Sequence, residues 1–597
     1  MFHVEHLFLK SKNKYMKIFG QLVDVHSKKI FPSVVEVEKG IIKSIEMTST
    51  APEIFILPGL IDSHIHIESS MITPGAFASM AVKHGTCATV SDPHEIANVL
   101  GIKGVEFMIN DASKVPLNFY FGAPSCVPAT SFETNGAILD NQQVQKLLEM
   151  KEIRYLSEMM NFPGVIYDDD EVVKKLSCAR KLGKPIDGHA PGLSGDPLRK
   201  YVSSGISTDH ECSSMKEAEE KISLGMKILI REGSAAKNLN ALKDLFIKHP
   251  DMVMLCSDDL HPEMLREGHI NKLIARLISE EYDVFDVIRS ATVNPVEHYK
   301  LDSGLLRPGD KADFILVDNL DKMNVLETWI EGIKVFDRGK VLFNYKPDEA
   351  VNNFNCSQIT EADIRVKNNH AEIRIITAVE GELLTGEINI SSGNNEFVSS
   401  DTKNDILKIV VKDRYKDLPP AVGFIKGFGL KKGAFASSIA HDSHNIIAIG
   451  VDDNNIIEAI NRIVTLKGGL AVSTGEEIMS IQLNIGGIMT TRSCEDIAEE
   501  YDNLNQVVKT LGCSMNAPFM TMSFMALLVI PDLKIGDRGL FDVKKFRPVS
   551  LFVQIEPLCR FATSPLRRRV DLISYGNCED PPTGGDEAIL FMQNETN

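Results

Sequence analysis

Residues 54–71 read IFILPGLIDSHIHIESSM. An apolar run broken by Pro58 and Gly59 ends on His64 and His66, one residue apart. The run has the length and composition of a buried strand. Residues two apart on a strand point to the same side, so the strand aims two imidazoles in one direction. A lone HxH is a weak signal, and the rest of the chain decides its meaning.

Counting onward from this strand, apolar runs and helical patterns alternate from about residue 58 to 302. Eight candidate strands end near LIDSHIH (60–66), TCATVSD (86–92), LNFYFGAPS (117–125), IRYLSEMMN (153–161), KPIDGHA (184–190), ISTDHEC (206–212), MKILIREG (226–233) and MVMLCSDD (252–259). Helical stretches such as PGAFASMAVKHG and DDEVVKKLSCARKLG lie between them. This alternation predicts an α/β fold, a TIM-type (β/α)8 barrel. A doubly wound open sheet is the competing reading, and no Gly-rich phosphate turn supports it.

The barrel segment is flanked by two β-like stretches, 16–57 and 303–345, read as one small β domain built from both sides. Residues 346–366 are polar and read as a linker. An α+β domain is expected over 367–553. Residues 1–15 read as an N-terminal extension and 554–597 as a tail with weak periodicity.

Bulk composition limits the function. The chain has 597 residues, 43% apolar and 24% charged, so several globular domains are expected. The net charge of -18 argues against a nucleic-acid or membrane-surface binder. Ten cysteines without a CxxC pair fit a reducing cytoplasm. No run approaches the roughly 18 apolar residues of a membrane span, and the N-terminus lacks signal-peptide features.

Barrel chemistry collects at strand C-termini. Those ends carry His64 and His66, Glu158, His189, His210 and Asp258. Each has an ordinary explanation alone: a satisfied loop histidine, a strand-end carboxylate, or an N-cap at Asp258–Asp259. Together, all at strand ends, they read as metal ligands. Four histidines and two carboxylates exceed one tetrahedral ion. They suit two ions roughly 3.5–4 Å apart that activate water near neutral pH.

With these residues in place the chain resembles the adenine deaminase family of the amidohydrolase superfamily. SHIHIESSMITP, TVSDPHEIANVLG, LSEMMNFPGV, DGHAPGLSG, STDHECSS, ILIREGSAAKN and LCSDD are similar to its motifs. So are the later GLKKGAFASSIAHDSHNIIAIGVDD and MSFMALLVIPDLKIGDRGLFDV. The resemblance spans about 16–553. It implies a distorted barrel, a small β-sandwich from both flanks and a family-specific C-terminal domain. It also implies hydrolysis of adenine to hypoxanthine and ammonia, with two Mn2+ or Fe2+ ions and Zn2+ as a further candidate. Many relatives use a carbamylated lysine on strand four; here Glu158 stands at that strand end.

The expected roles follow from that resemblance. His64, His66 and Asp258 hold one ion, His189 and His210 the other, and Glu158 bridges. A hydroxide attacks C6, Glu211 protonates N1, Asp258 shuttles a proton to the leaving ammonia, and Asp259 faces the purine. His94, in SDPHE (91–95), contacts substrate or an extra ion, against a loop-ordering role. Arg231 and Glu232 read as a salt-bridged rim. AHDSHN (440–445) reads as a solvated turn or as a piece that completes the site, and FMTMSFMALLVI (519–530) as core. A homo-oligomer is the family expectation. Guanine deaminase, a cyclic-amide hydrolase and an inactive scaffold are the alternatives. The zinc cytidine-deaminase class lacks its HxE and PCxxC signature here.

Overall fold

The computed structural model describes residues 15–553, apart from residues 235 and 381. Eight strands stand where the alternation placed them: Leu60–Ile65, Thr86–Ser91, Asn118–Ala123, Ile153–Met159, Ile186–Gly188, Thr208–Asp209, Lys227–Arg231 and Val253–Cys256. The first five pair in sequence order as one parallel sheet and the last three as another. Two short seams close the ring. At one, Asp258 N–H donates to His64 O at 2.9 Å and His66 N–H donates to Asp258 O at 3.2 Å. At the other, Ser207 N–H donates to Ile186 O at 3.0 Å and Gly188 N–H to Thr208 Oγ1 at 3.2 Å. The barrel is therefore closed but distorted.

Its strands are buried along their length, as in Thr86–Ser91 and Val253–Cys256, which a sheet covered on both faces requires. Ile61, Val90, Tyr155, Leu229 and Met254, from five different strands, pack in one interior cluster. The barrel is thus filled rather than hollow. Local signals set the outer helices. Asp169 caps helix Asp170–Lys181 by accepting from the N–H groups of Glu171 and Val172. Acids occupy the first turn of that helix and Arg180 and Lys181 its last, which suits the helix dipole.

The flanks do combine. Strands from Tyr15 to Pro58 and from Phe314 to Val341 form one eight-stranded sheet. Phe55–Pro58 is the joint, antiparallel to Phe314–Val317 and parallel to Tyr15–Asp24. The expected sandwich is continuous in its hydrogen bonding and encloses one cluster that includes Leu22, Val35, Ile56, Phe314 and Trp329.

A second eight-stranded sheet, mixed in direction, builds the C-terminal region. Helix Asp453–Leu466 buries Ile456, Ile460 and Ile463 against it. The stretch expected as a linker packs here too: Ile359 and Ile364 join that cluster, and Glu361–Ile364 forms a helical turn. The expected extension and tail lie outside the described residues, except Tyr15, which opens a strand. No helix among the described residues is long and apolar enough to cross a membrane.

Candidate active site

The barrel seam places the first donors. Backbone pairing of residues 64–66 with Asp258 brings His64 Nε2 to 3.5 Å and His66 Nε2 to 3.2 Å from Asp258 Oδ1. The fourth strand delivers Glu158 between two sets of histidines. Its Oε1 lies 3.3 Å from His66 Nε2; its Oε2 lies 2.7 Å from His189 Nδ1 and 3.2 Å from His210 Nε2. One carboxylate thus turns a different oxygen to each side. All six residues are buried.

These residues fit divalent cations. Both ring nitrogens of His64 are buried without a hydrogen-bond partner among the described residues. An unpaired buried polar group costs about 1–3 kcal/mol, which coordination by a cation removes. His64 with His210 and Asp258, and Glu158 with His189 and His210, each bring donor atoms within 4.8 Å of one another. Burial alone opposes ionisation of Glu158, but His189 and His210 hold its carboxyl well below the usual range. Burial likewise works against Asp258, and the Arg231 guanidinium with His64 and His66 keeps it well below. Burial disfavours charge on His189, yet Glu211 and Glu158 lift it to about 9. The raised pKa values of His66 and His189 mark the demand of the buried carboxylates for positive charge, which a divalent cation supplies at the same donors.

Arg231 is not on a rim. It is 6% exposed and donates from Nη1 and Nη2 to both oxygens of Glu211, and from Nη1 to Asp258 Oδ2 at 2.5 Å. Against the effect of burial, Arg231 lowers the Glu211 pKa. Glu211 Oε1 also lies 3.5 Å from His189 and 3.4 Å from His210. Asp259 accepts from Ser69 Oγ at 2.5 Å, and burial with the Asp258 charge raises its pKa. The N-cap alternative for the Asp pair fails, since His261 precedes the next helix. Asp62, which sequence reading passed over, accepts from Ser257 N–H at 3.1 Å and pairs with His269 Nε2 at 2.8 Å, bracing the seam.

The C-terminal domain reaches the barrel mouth. His441, Asp442, His444 and Asn445 are 1–3% exposed, so AHDSHN is not a solvated turn. His441 Nδ1 lies 2.6 Å from Glu95 Oε1, and His444 Nε2 faces Glu95 Oε2. His94 sits between the two groups, its ring 4.5 Å from that of His66. Residues 519–530 are core as expected, and Phe524, Leu527 and Ile530 also line the site. Beside it lies a cavity of about 620 Å³ that shares Met160, Glu211, Arg231, Leu383 and Ile530 with the site.

Residues 55–335 match the Amidohydrolase family, and residues 382–547 match the Adenine deaminase C-terminal domain. Fold and site therefore define an amidohydrolase, a class that implies divalent-metal binding. The adenine deaminase of Methanosarcina mazei is 52% identical over 550 residues, 90% of this chain and 99% of that protein. The adenine deaminase of Salinibacter ruber is 49% identical over 539 residues, 90% of this chain and 99% of that one. This chain belongs to the adenine deaminase family. Among solved structures, a β-aspartyl dipeptidase from Fervidobacterium islandicum AW-1 aligns over 55% of this chain and all of its own, with a TM-score of 0.43 and 15% identity.

Proposed function

We propose that this chain hydrolyses adenine to hypoxanthine and ammonia, as a step of purine salvage. The substrate rests on the 52% identity to a relative of that name over nearly its whole length. The chemistry rests on one observation: Glu158 presents a separate oxygen to each of two histidine groups. His64, His66 and Asp258 would hold one divalent ion, His189 and His210 another, with Glu158 shared. Mn2+ or Fe2+ are the candidates, with Zn2+ a third; imidazole and carboxylate donors suit all of them. Such ions, when bound, make water a nucleophile near neutral pH.

The chain's own residues then move protons. Glu211 is a carboxylate paired with Arg231. It first takes a proton from the attacking water and then delivers it to N1 as hydroxide adds to C6. Asp258 takes the remaining hydroxyl proton and gives it to N6, so ammonia leaves and the C6 carbonyl forms. This order uses each carboxylate first as base and then as acid. Asp259, held by Ser69, faces the purine, and Phe524, Leu527 and Ile530 keep water from the ring. The same reading divides the chain into a flank domain (16–57 with 303–345), a barrel (58–302) and a C-terminal domain (367–553). It also includes a homo-oligomer in the cytoplasm.

Ammonia release from adenine by Mn2+- or Fe2+-reconstituted protein is the test, with adenosine and guanine as comparison substrates. Activity on adenine, lost on chelation and in Glu158→Ala, is the expected result. A fully metal-loaded protein that leaves adenine untouched rules the substrate out.

A further inference from the structure

A second buried carboxylate repeats the Glu158 arrangement outside the pair of ions just described. Glu95 turns one oxygen to His441 and the other to His444. His94 lies alongside, its Nδ1 held by Asp92 Oδ2 at 3.1 Å and its Nε2 3.5 Å from Glu95 Oε1. A histidine whose far nitrogen is fixed by a carboxylate is oriented as metal-bound histidines are. Asp442 completes the group. It is 3% exposed, lines the same site, and its Oδ2 has no hydrogen-bond partner among the described residues. One donor atom from each of His94, Glu95 and Asp442 lies within 4.8 Å of the others.

We propose that His94, Glu95 and Asp442 form a third divalent-cation site, flanked by His441 and His444. Mixed imidazole and carboxylate donors select a first-row divalent ion. Two ligands come from the first turn of helix His94–Leu100, which follows the second barrel strand, and one from the C-terminal domain. The ion therefore ties that domain to the barrel mouth and fixes the wall beside Asp259. This goes beyond the two-ion reading, and it assigns His94 to the cation rather than to substrate.

The experiment uses the full chain loaded with Mn2+ and freed of loose metal. Metal per chain is measured by mass spectrometry, and ions are located by anomalous scattering at the manganese edge in crystals. Three ions per chain are expected, with a peak between His94, Glu95 and Asp442. Asp442→Asn should lower the count to two and keep both barrel peaks. Only two peaks in the unaltered protein, both at the barrel donors, overturn the proposal, and that map requires no variant to fold. A peak at Glu95 with none at Glu158 would instead overturn the two-ion reading and leave this one standing.

Discussion

Glu158 and Glu95 have similar surroundings and different origins. Each is buried, and each divides its oxygens between histidines. The partners of Glu158 stand just past the C-terminal ends of strands of one closed barrel, so backbone register sets their spacing. The partners of Glu95 come from a loop 346 and 349 residues later in the chain. Their spacing depends on the docking of a second sheet. The first cluster is a product of the barrel; the second exists only when two regions have met.

The sharpest way to break this contrast is to remove one histidine from each side. His64→Ala should lower kcat/KM for adenine on the order of 10⁴-fold, as loss of core catalytic groups does. His444→Ala should cost about 10- to 100-fold, the range for groups that orient ligands. Equal losses would mean the two clusters work as one centre.

Next in size is the brace under the fifth- and sixth-strand donors. Lys221 Nζ lies 2.9 Å from Asp209 Oδ2 and donates to Ala190 O at 2.7 Å. Asp209 in turn accepts from the N–H groups of Ala190 and Glu211, the neighbours of His189 and His210. Lys221→Met leaves a buried charge unpaired and should cost about 3–5 kcal/mol in urea unfolding. Adding Asp209→Asn should restore part of that, and no restoration would show the pair is not coupled.

The cap has its own marker in Lys534. Its Nζ donates to Leu383 O at 2.7 Å and to Phe524 O at 3.0 Å, both residues of the site wall. Burial pulls its pKa from the ordinary 10.5 to about 7. Between those values the unfolded chain holds the proton and the folded chain does not, so stability rises with pH across that window. Relative to Lys534→Met, the unaltered protein should gain on the order of 2 kcal/mol from pH 7 to 9, at about 1.4 kcal/mol per unit. A pH-independent difference would show that Lys534 keeps its charge in the fold.

Smallest is Ser69→Ala, which frees Asp259. Loss of one hydrogen bond, about 1 kcal/mol, should raise KM roughly fivefold and leave kcat nearly unchanged. A fall in kcat instead would place Asp259 on the reacting atoms.

The barrel and its donors were legible because their signals are local. Buried parallel strands read as unbroken apolar runs, and five of the eight end on candidate ligands, as in LIDSHIH and LSEMMN. The flank domain could be read because both halves alternate like strands, although their joining as one sheet depends on the pairing of Phe55–Pro58 with Phe314–Val317. What stayed hidden depends on distant contacts. Arg231 ends a strand beside Glu232 and looks like a rim pair; only the turn of the barrel points it at Glu211 and Asp258. AHDSHN looks solvated because its partner is Glu95. SDPHE carried the one hint, since three ionisable side chains within four residues are excessive for a simple loop.

The joint at Phe55–Pro58 also sets an order of events during synthesis. This strand leaves the ribosome before the whole barrel, and the strand that covers its edge leaves after it. Until residue 317 has emerged, the nascent chain carries an open, apolar sheet edge, a site for unwanted pairing. The last turn of the barrel and the sealing of that edge follow one another closely, so the barrel's own donors and the protection of this early strand are completed together, before the residues of the C-terminal domain that line the mouth have been made.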